Sequence, residues 1–211
     1  GELARQIAHE IKNPLTPIRL GVQHLKRTYG DPRGDFGQTL DRTVKQILAE
    51  IERLDSIARA FARFGAPLAE SEPPASGDLV AIARETAELY ALGGDTAVLV
   101  CAAEPVVAKV RRDEVKEVLV NLIENARDGG ATEVRVTVEG GRTQRARIAV
   151  ADNGKGIPKT DLPHVFEPQF STTTSGTGLG LAICKRLVES WGGEIELESE
   201  VEQGTTVKIA L

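Results

Sequence analysis

Apolar residues recur every three to four positions through the first stretch of the chain: Leu3, Ile7, Ile11, Leu15, Ile18, Val22 and Leu25. That is the stripe of an amphipathic helix. The turn-forming run Gly30-Asp31-Pro32-Arg33-Gly34 should end it. A second helix is expected from about Asp35 to Phe64, with its seam at Leu40, Val44, Ile47, Ile51, Leu54, Ala58 and Phe61 in alternating steps of four and three. Two long helices joined by a short turn make an antiparallel hairpin. A lone hairpin cannot cover both stripes, so pairing with a second copy into a four-helix bundle is the expected remedy.

After residue 66 the pattern changes. Residues 67–77, with Pro67, Pro73 and Pro74, read as a linker. Beyond them come a helix over Asp78–Tyr90, a strand over Thr96–Ala102 and a strongly periodic helix over Arg112–Ala126. Strands follow at Glu133–Glu139 and Arg145–Ala151, then a helix over Gly178–Trp191. A hairpin of Glu194–Glu198 with Thr205–Leu211 closes the chain. The expected fold is therefore α plus α/β: a helical hairpin over 1–66, then an α/β sandwich over 78–211 with helices on one face of a mixed sheet.

Composition sharpens that division. Residues 1–66 carry 11 basic and 8 acidic side chains, whereas the rest carry 15 and 23, for a net −5 over 211 residues. No dense basic patch interleaved with aromatics is present, which argues against nucleic acid as a partner. No apolar run is long enough to span a bilayer, so no direct membrane contact is expected of this stretch. The chain starts Gly1-Glu2-Leu3 and lacks Met, as expected of a piece of a longer protein. Cys101 and Cys184 both sit in apolar runs and read as core residues.

Four places carry candidate chemistry. His9 falls between the seam positions Ile7 and Ile11 and should face solvent, with Glu10 beside it and Asn13 one turn on. Pro14 removes a helical hydrogen bond just past this group, a costly feature to keep without purpose. Asn121, Asn125 and Asp128 line one face of the Arg112–Ala126 helix, next to the apolar face of Val115, Val118, Leu119, Leu122 and Ala126. Amide oxygens there suit a Mg²⁺ that keeps several waters and binds phosphates. Two glycine-rich runs complete the set: Asp152-Asn153-Gly154-Lys155-Gly156 after a strand, and Gly176-Thr177-Gly178-Leu179-Gly180 opening a helix. Glycine turns at a helix start present backbone N–H groups to phosphates. Ser171–Ser175 between them has no apolar period and reads as a mobile lid.

Taken in order, these segments resemble the sensor histidine kinases over nearly the whole chain. The phosphoacceptor box is His9–Pro14, the asparagine box Asn121–Asn125, the glycine boxes Asp152–Gly156 and Gly176–Gly180, with a phenylalanine box around Phe166 and Phe170. The string from Ala8 to Ile18 is similar to the nitrogen-regulation branch. The resemblance implies that His9 attacks the γ-phosphate of ATP, that Glu10 orients the imidazole and takes its proton, and that Asn13 positions water for a phosphatase activity. It also implies that Asn125 holds Mg²⁺ across the phosphates and that Asn121, in the same box, belongs to the nucleotide site. Asp152 then accepts from the adenine amino group, with Gly154 and Gly156 letting the base approach. Gly176, Thr177, Gly178, Leu179 and Gly180 bring backbone to the phosphates. The implied partners are a second copy and the receiver domain of a response regulator, docking near His9 against residues such as Arg19, Gln23 and Lys26. The implied location is the cytoplasm, in a full-length protein anchored in the inner membrane.

Some positions depart from the family pattern. Thr173 stands where a basic lid residue is usual, Gln169 replaces an aromatic before Phe170, and Asp128 stands where a basic residue often follows the second asparagine. Lys155, Arg127 and Lys185 are the candidate replacements for phosphate contact. Two rival readings are an ATPase of the same nucleotide-binding superfamily and a pseudokinase that only dimerises and docks partners. The first is disfavoured because Asn121 stands where those enzymes carry a glutamate base, and an amide cannot deprotonate water. The second is disfavoured because His9, Asn125, Asp152 and the box glycines are all present.

Overall fold

The computed structural model describes residues 2–29, 35–65, 73–91, 95–141, 144–168, 170 and 178–211. The chain divides into two compact units, Gly1–Ala66 and Pro67–Leu211. Among the described residues no helix is long and apolar enough to cross a membrane.

The first unit is a pair of helices, α1 (Glu2–Thr28) and α2 (Phe36–Gly65), packed along one another. The expected turn at Gly30–Gly34 lies outside the described residues. Helix α1 runs through Pro14 and Pro17, and Pro14 is buried. The helices approach closely at Gly21, where an added Cβ would stand 2.9 Å from Thr43 Cγ2 and 3.4 Å from Ile47 Cδ1.

The seam between the helices differs from the single stripe expected on α2. Thr43 and Ile57 are buried, and Ile47, Glu50 and Leu54 are partly covered. By contrast Leu40, Val44, Leu48 and Ile51 are exposed, as are Leu15 and Val22 on α1. The 4-3 spacing therefore merges two neighbouring faces. One packs inside the hairpin and contains Thr43 and Glu50, whose polarity hid it. The other is an apolar surface turned away from α1.

The second unit is an α/β sandwich. Its main sheet has strands β2 (Ala97–Cys101), β4 (Glu133–Gly141), β5 (Gln144–Asp152), β6 (Glu194–Glu200) and β7 (Gly204–Ala210) in the order β2-β4-β5-β7-β6. Strand β2 runs parallel to β4, and the other neighbours are antiparallel. Helices α3 (Leu79–Glu88), α4 (Arg112–Asp128) and α5 (Gly180–Ser190) pack on one face. That face is Val134, Val136, Val138, Ile148, Val150, Val207 and Ile209, all buried, while Arg135, Arg147 and Lys208 occupy the opposite, open face. Registers Val136↔Val150 and Val150↔Val207 carry the buried row across three strands.

Two short strands, β1 (Ala75–Asp78) and β3 (Val107–Val110), pair beside the sheet. Neither was expected: β1 falls in the stretch read as linker, and Ala-Ser-Gly-Asp has no strand signal of its own. Its order follows from pairing with β3 and from Asp78, whose carboxylate caps α3 by accepting from Val80 N at 2.9 Å and Ala81 N at 3.3 Å. The two edges of the main sheet differ. Strand β6 exposes Glu194, Glu196, Glu198 and Glu200, whereas β2 exposes Ala97, Leu99 and Cys101. The cysteines thus part company: Cys184 is fully buried, but Cys101 is exposed on an edge strand, contrary to its reading as core. A strand with one uncovered face is as apolar in sequence as a buried one.

Candidate nucleotide site

Asp152 ends β5, and its side chain lies on the helix-covered side of the sheet, in register with the buried Ile148 and Val150. Its Oδ1 accepts from Gly154 N at 2.8 Å and from Thr205 N at 3.3 Å. Burial raises the carboxyl above the ordinary Asp range, and these two bonds pull it back. The carboxylate is thereby fixed in orientation at a half-buried spot, as suits recognition of a donor.

The corner around Asp152 requires glycine at two points. At Gly156 φ is +67°, and a Cβ would lie 2.0 Å from the carbonyl oxygen of Glu200. At Gly204 φ is +100°, and a Cβ would lie 1.9 Å from the carbonyl oxygen of Asp152 itself. Side chains at either position would drive β5 and the β6–β7 turn apart. The loop is stitched to α4 as well, since Lys155 N donates to Gly129 O at 3.0 Å and Gly154 lies against the same carbonyl. Asp152, Gly154 and Gly156 therefore form one rigid corner below the C-terminus of α4.

The asparagines stand on the same end of α4. Asn121 Nδ2 donates to Glu117 O at 3.0 Å, which turns its Oδ1 outward. A Cβ on Gly180 would sit 3.5 Å from Asn121 Oδ1 and 3.5 Å from both amide atoms of Asn125. The bare backbone at the start of α5 is thus in contact range of both amides, and Asn125 is exposed beside it. Gly178 adopts φ +64°, and Leu179 buries its side chain completely, so any ligand contact of Leu179 falls to its backbone. Gly176, Thr177, Gln169 and the Ser171–Ser175 lid lie outside the described residues.

Metal chemistry has a defined opening here. Among the described residues no group of three His, Cys, Asp or Glu side chains gathers to hold an ion. The amide oxygens of Asn121 and Asn125 at a helix start instead fit a hard cation that arrives with phosphates and keeps most of its waters.

The three candidate replacement cations separate. Arg127 pairs with Glu124 at 3.0 Å and lies 5.7 Å over the Tyr90 ring, on the α3 side of α4. Burial and the neighbouring Glu124 push the Tyr90 hydroxyl pKa upward. Lys185 sits 5.7 Å over Phe166 and 3.9 Å from Glu189. Lys155 is exposed near Asp128, whose carboxyl is held above the ordinary Asp range by burial and then by Glu124, with Arg127 and Lys155 opposing. Only Lys155 stands in the glycine corner.

In the hairpin, Asn13 is exposed on α1. His9 and Glu10 lie within α1, and their side chains are outside the described residues. Of the other singled-out residues, His24 is exposed, His164 bonds Glu167 at 2.9 Å beside the short 3-10 turn, and Trp191 Nε1 donates to Glu114 at 2.6 Å.

Sequence reasoning missed three supporting residues. Asn153, within the first glycine-rich run, works as a clamp: its Oδ1 accepts from Thr132 N at 2.9 Å and Glu133 N at 3.0 Å. Ser199 accepts from Ile157 N at 2.8 Å and donates to Gly204 O at 2.8 Å, and Thr205 N reaches Asp152. The available signal was Ser199 itself, a polar residue in the inward register of Ile195 and Leu197.

Comparison with known proteins agrees with this geometry. Residues 110–211 match the family of histidine kinase-, DNA gyrase B-, and HSP90-like ATPases, and residues 1–64 match the His Kinase A (phospho-acceptor) domain. Sporulation kinase D of Bacillus subtilis is 35% identical over 100% of this chain, which spans 41% of that protein. Nitrogen regulation protein NtrY of Azorhizobium caulinodans is 34% identical over 100% of this chain, which spans 28% of it. Histidine kinase ThkA, solved in complex with response regulator protein TrrA, superposes with a TM-score of 0.77 at 27% identity, over 100% of this chain and 61% of that one. With a phospho-acceptor hairpin, an ATPase-like sandwich and relatives of this kind, the chain belongs to the sensor histidine kinase family.

Proposed function

We propose that the chain phosphorylates itself on His9 from ATP and passes the phosphoryl group to an aspartate of a response regulator. The observation that carries this reading is the glycine-walled corner at Asp152 set beside the Asn121–Asn125–Gly180 cluster. The first suits a purine amino group, and the second suits phosphates. Asp152 accepts from the base, Gly154 and Gly156 leave room for its ring, and the backbone of Gly176–Gly180 meets the phosphate oxygens. Asn125, with Asn121, holds a Mg²⁺ that neutralises charge across the phosphates.

On the hairpin, the imidazole lone pair of His9 attacks the γ-phosphorus as the bond to the bridging oxygen breaks and ADP leaves. Glu10 takes the imidazole proton. Asn13 orients the water that removes phosphate from the partner, which makes the protein a phosphatase as well. The exposed row of Leu15, Val22, Leu40, Val44, Leu48 and Ile51 supports a homodimer, since a solvated apolar strip of this extent needs a partner. Catalysis rests on positioning and charge neutralisation. Asn121 in place of a carboxylate leaves water without a base, which favours phosphotransfer over hydrolysis of free ATP.

The test is labelling with γ-labelled ATP and Mg²⁺. Acid-labile, base-stable label on the intact chain, absent from His9→Ala and Asn125→Ala, is the expected result. Label that survives His9→Ala would overturn the assignment.

A further inference from the structure

Asp152 commits only one of its oxygens within the protein. Oδ1 takes the bonds from Gly154 N and Thr205 N, and among the described residues no donor reaches Oδ2. The two bonds differ in origin. Gly154 lies two residues on in the same loop, whereas Thr205 belongs to β7, 53 residues away. A carboxylate turns easily about its last side-chain bond, so one local donor would leave Oδ2 free to swing. The second donor, from another segment, is what aims it.

Thr205 is held in place by Ser199, its register partner across β6 and β7. A hydroxyl has one proton to give and two lone pairs to receive with. Ser199 Oγ donates to Gly204 O at 2.8 Å and accepts from Ile157 N at 2.8 Å. Its 2.9 Å contact with Thr205 Oγ1 is therefore one in which Thr205 donates. All three capacities are filled, each by a different residue. Gly204 and Thr205 open β7, and Ile157 follows the glycine corner. The corner also meets the β6–β7 turn through Thr205 N on Asp152 and through Glu202 N, which donates to Lys155 O at 2.8 Å. Both of those donors are backbone groups, so Ser199 supplies the side chain of this junction.

We propose that Ser199 is a positioning residue for base selection: it seats Thr205 N on Asp152 Oδ1 and thereby aims Oδ2 at the exocyclic amine of a 6-aminopurine. This inference rests on reading the Asp152 corner as the base end of the nucleotide site. Without the hydroxyl, Ile157 N and Gly204 O lose their partner, the start of β7 loosens, and the carboxylate loses its second anchor. The cluster of Asn121, Asn125 and Gly180 shares none of these bonds.

The test compares two diphosphates on the intact chain: ADP, and purine riboside diphosphate, which lacks the 6-amino group. Calorimetric titration with Mg²⁺ gives both affinities without turnover. The unsubstituted chain should prefer ADP. Ser199→Ala should lose about tenfold in ADP affinity, the scale of one hydrogen bond to a charged group. For the analogue it should stay within about twofold of the unsubstituted chain. Ser199→Thr, which keeps a hydroxyl, should regain most of the ADP affinity. The ratio of the two affinities decides the matter even where Ser199→Ala is less stable, because a smaller folded fraction weakens both ligands alike. Equal loss for both diphosphates, or no loss for either, overturns the proposal. Failure of the underlying reading is distinct, since it shows already in the unsubstituted chain as no preference for ADP.

Discussion

The two units reach order by different routes. Among the described residues, only Pro14 and Ile57 of the buried apolar side chains belong to the hairpin, while the sandwich buries a continuous set from Leu79 to Ile209. The sandwich closes its own core, since three helices cover one sheet face. The hairpin has one covered seam and one bare apolar face, so its order depends on something laid against that face. The ATPase-like unit is self-sufficient, and the unit that matches the phospho-acceptor domain is not.

Four substitutions break or sharpen that contrast. The largest effect is expected in the sandwich, where Ile148→Ala should cost about 2–5 kcal/mol by leaving a cavity, read by chemical denaturation. Next, Val44→Glu on the hairpin should weaken self-association at least about tenfold, the scale of burying an unpaired charge, read by sedimentation across concentration. The sandwich should melt unchanged in that variant. A hairpin that stays equally associated would show that the exposed strip is not the contact.

The third prediction concerns pH. Burial raises Asp152 above its ordinary value of 3.8, so the native state binds its proton more tightly than the unfolded chain does. Stability should therefore fall as pH rises from 3.8 through the native pKa. Asp152→Asn should flatten that fall in melts run across the interval. It should also remove nucleotide binding. An unchanged pH profile would mean that the carboxyl is well hydrated. The smallest effect is at Trp191, whose bond to Glu114 is 2.6 Å. Glu114→Gln should cost about 1–2 kcal/mol and shift the emission of the only tryptophan.

Much of this was legible beforehand, and the gaps have physical reasons. The long helices and the inner strands were readable because a repeat of about 3.6 or 2 residues follows from having one buried side. Strands β1 and β3 were not, because four residues pairing at a margin carry no period of their own. The hairpin seam was misjudged because Thr43 and Glu50 occupy inward positions while Leu40 and Val44 face outward. In the candidate site, Asp152, Asn121, Asn125 and the glycines were singled out from their order along the chain. Their supports, Asn153, Ser199 and Thr205, act through backbone bonds between segments far apart in sequence, which spacing cannot reveal.

The unequal edges of the main sheet have a practical consequence. The glutamates along β6 repel any strand that approaches, so that border resists adding another chain. Ala97–Cys101 has no charge within it and exposes Leu99 and a thiol. Under oxidation or crowding, irreversible clumping of the purified protein should begin at that border. A reductant and a moderate concentration therefore protect the sample at its weakest strand.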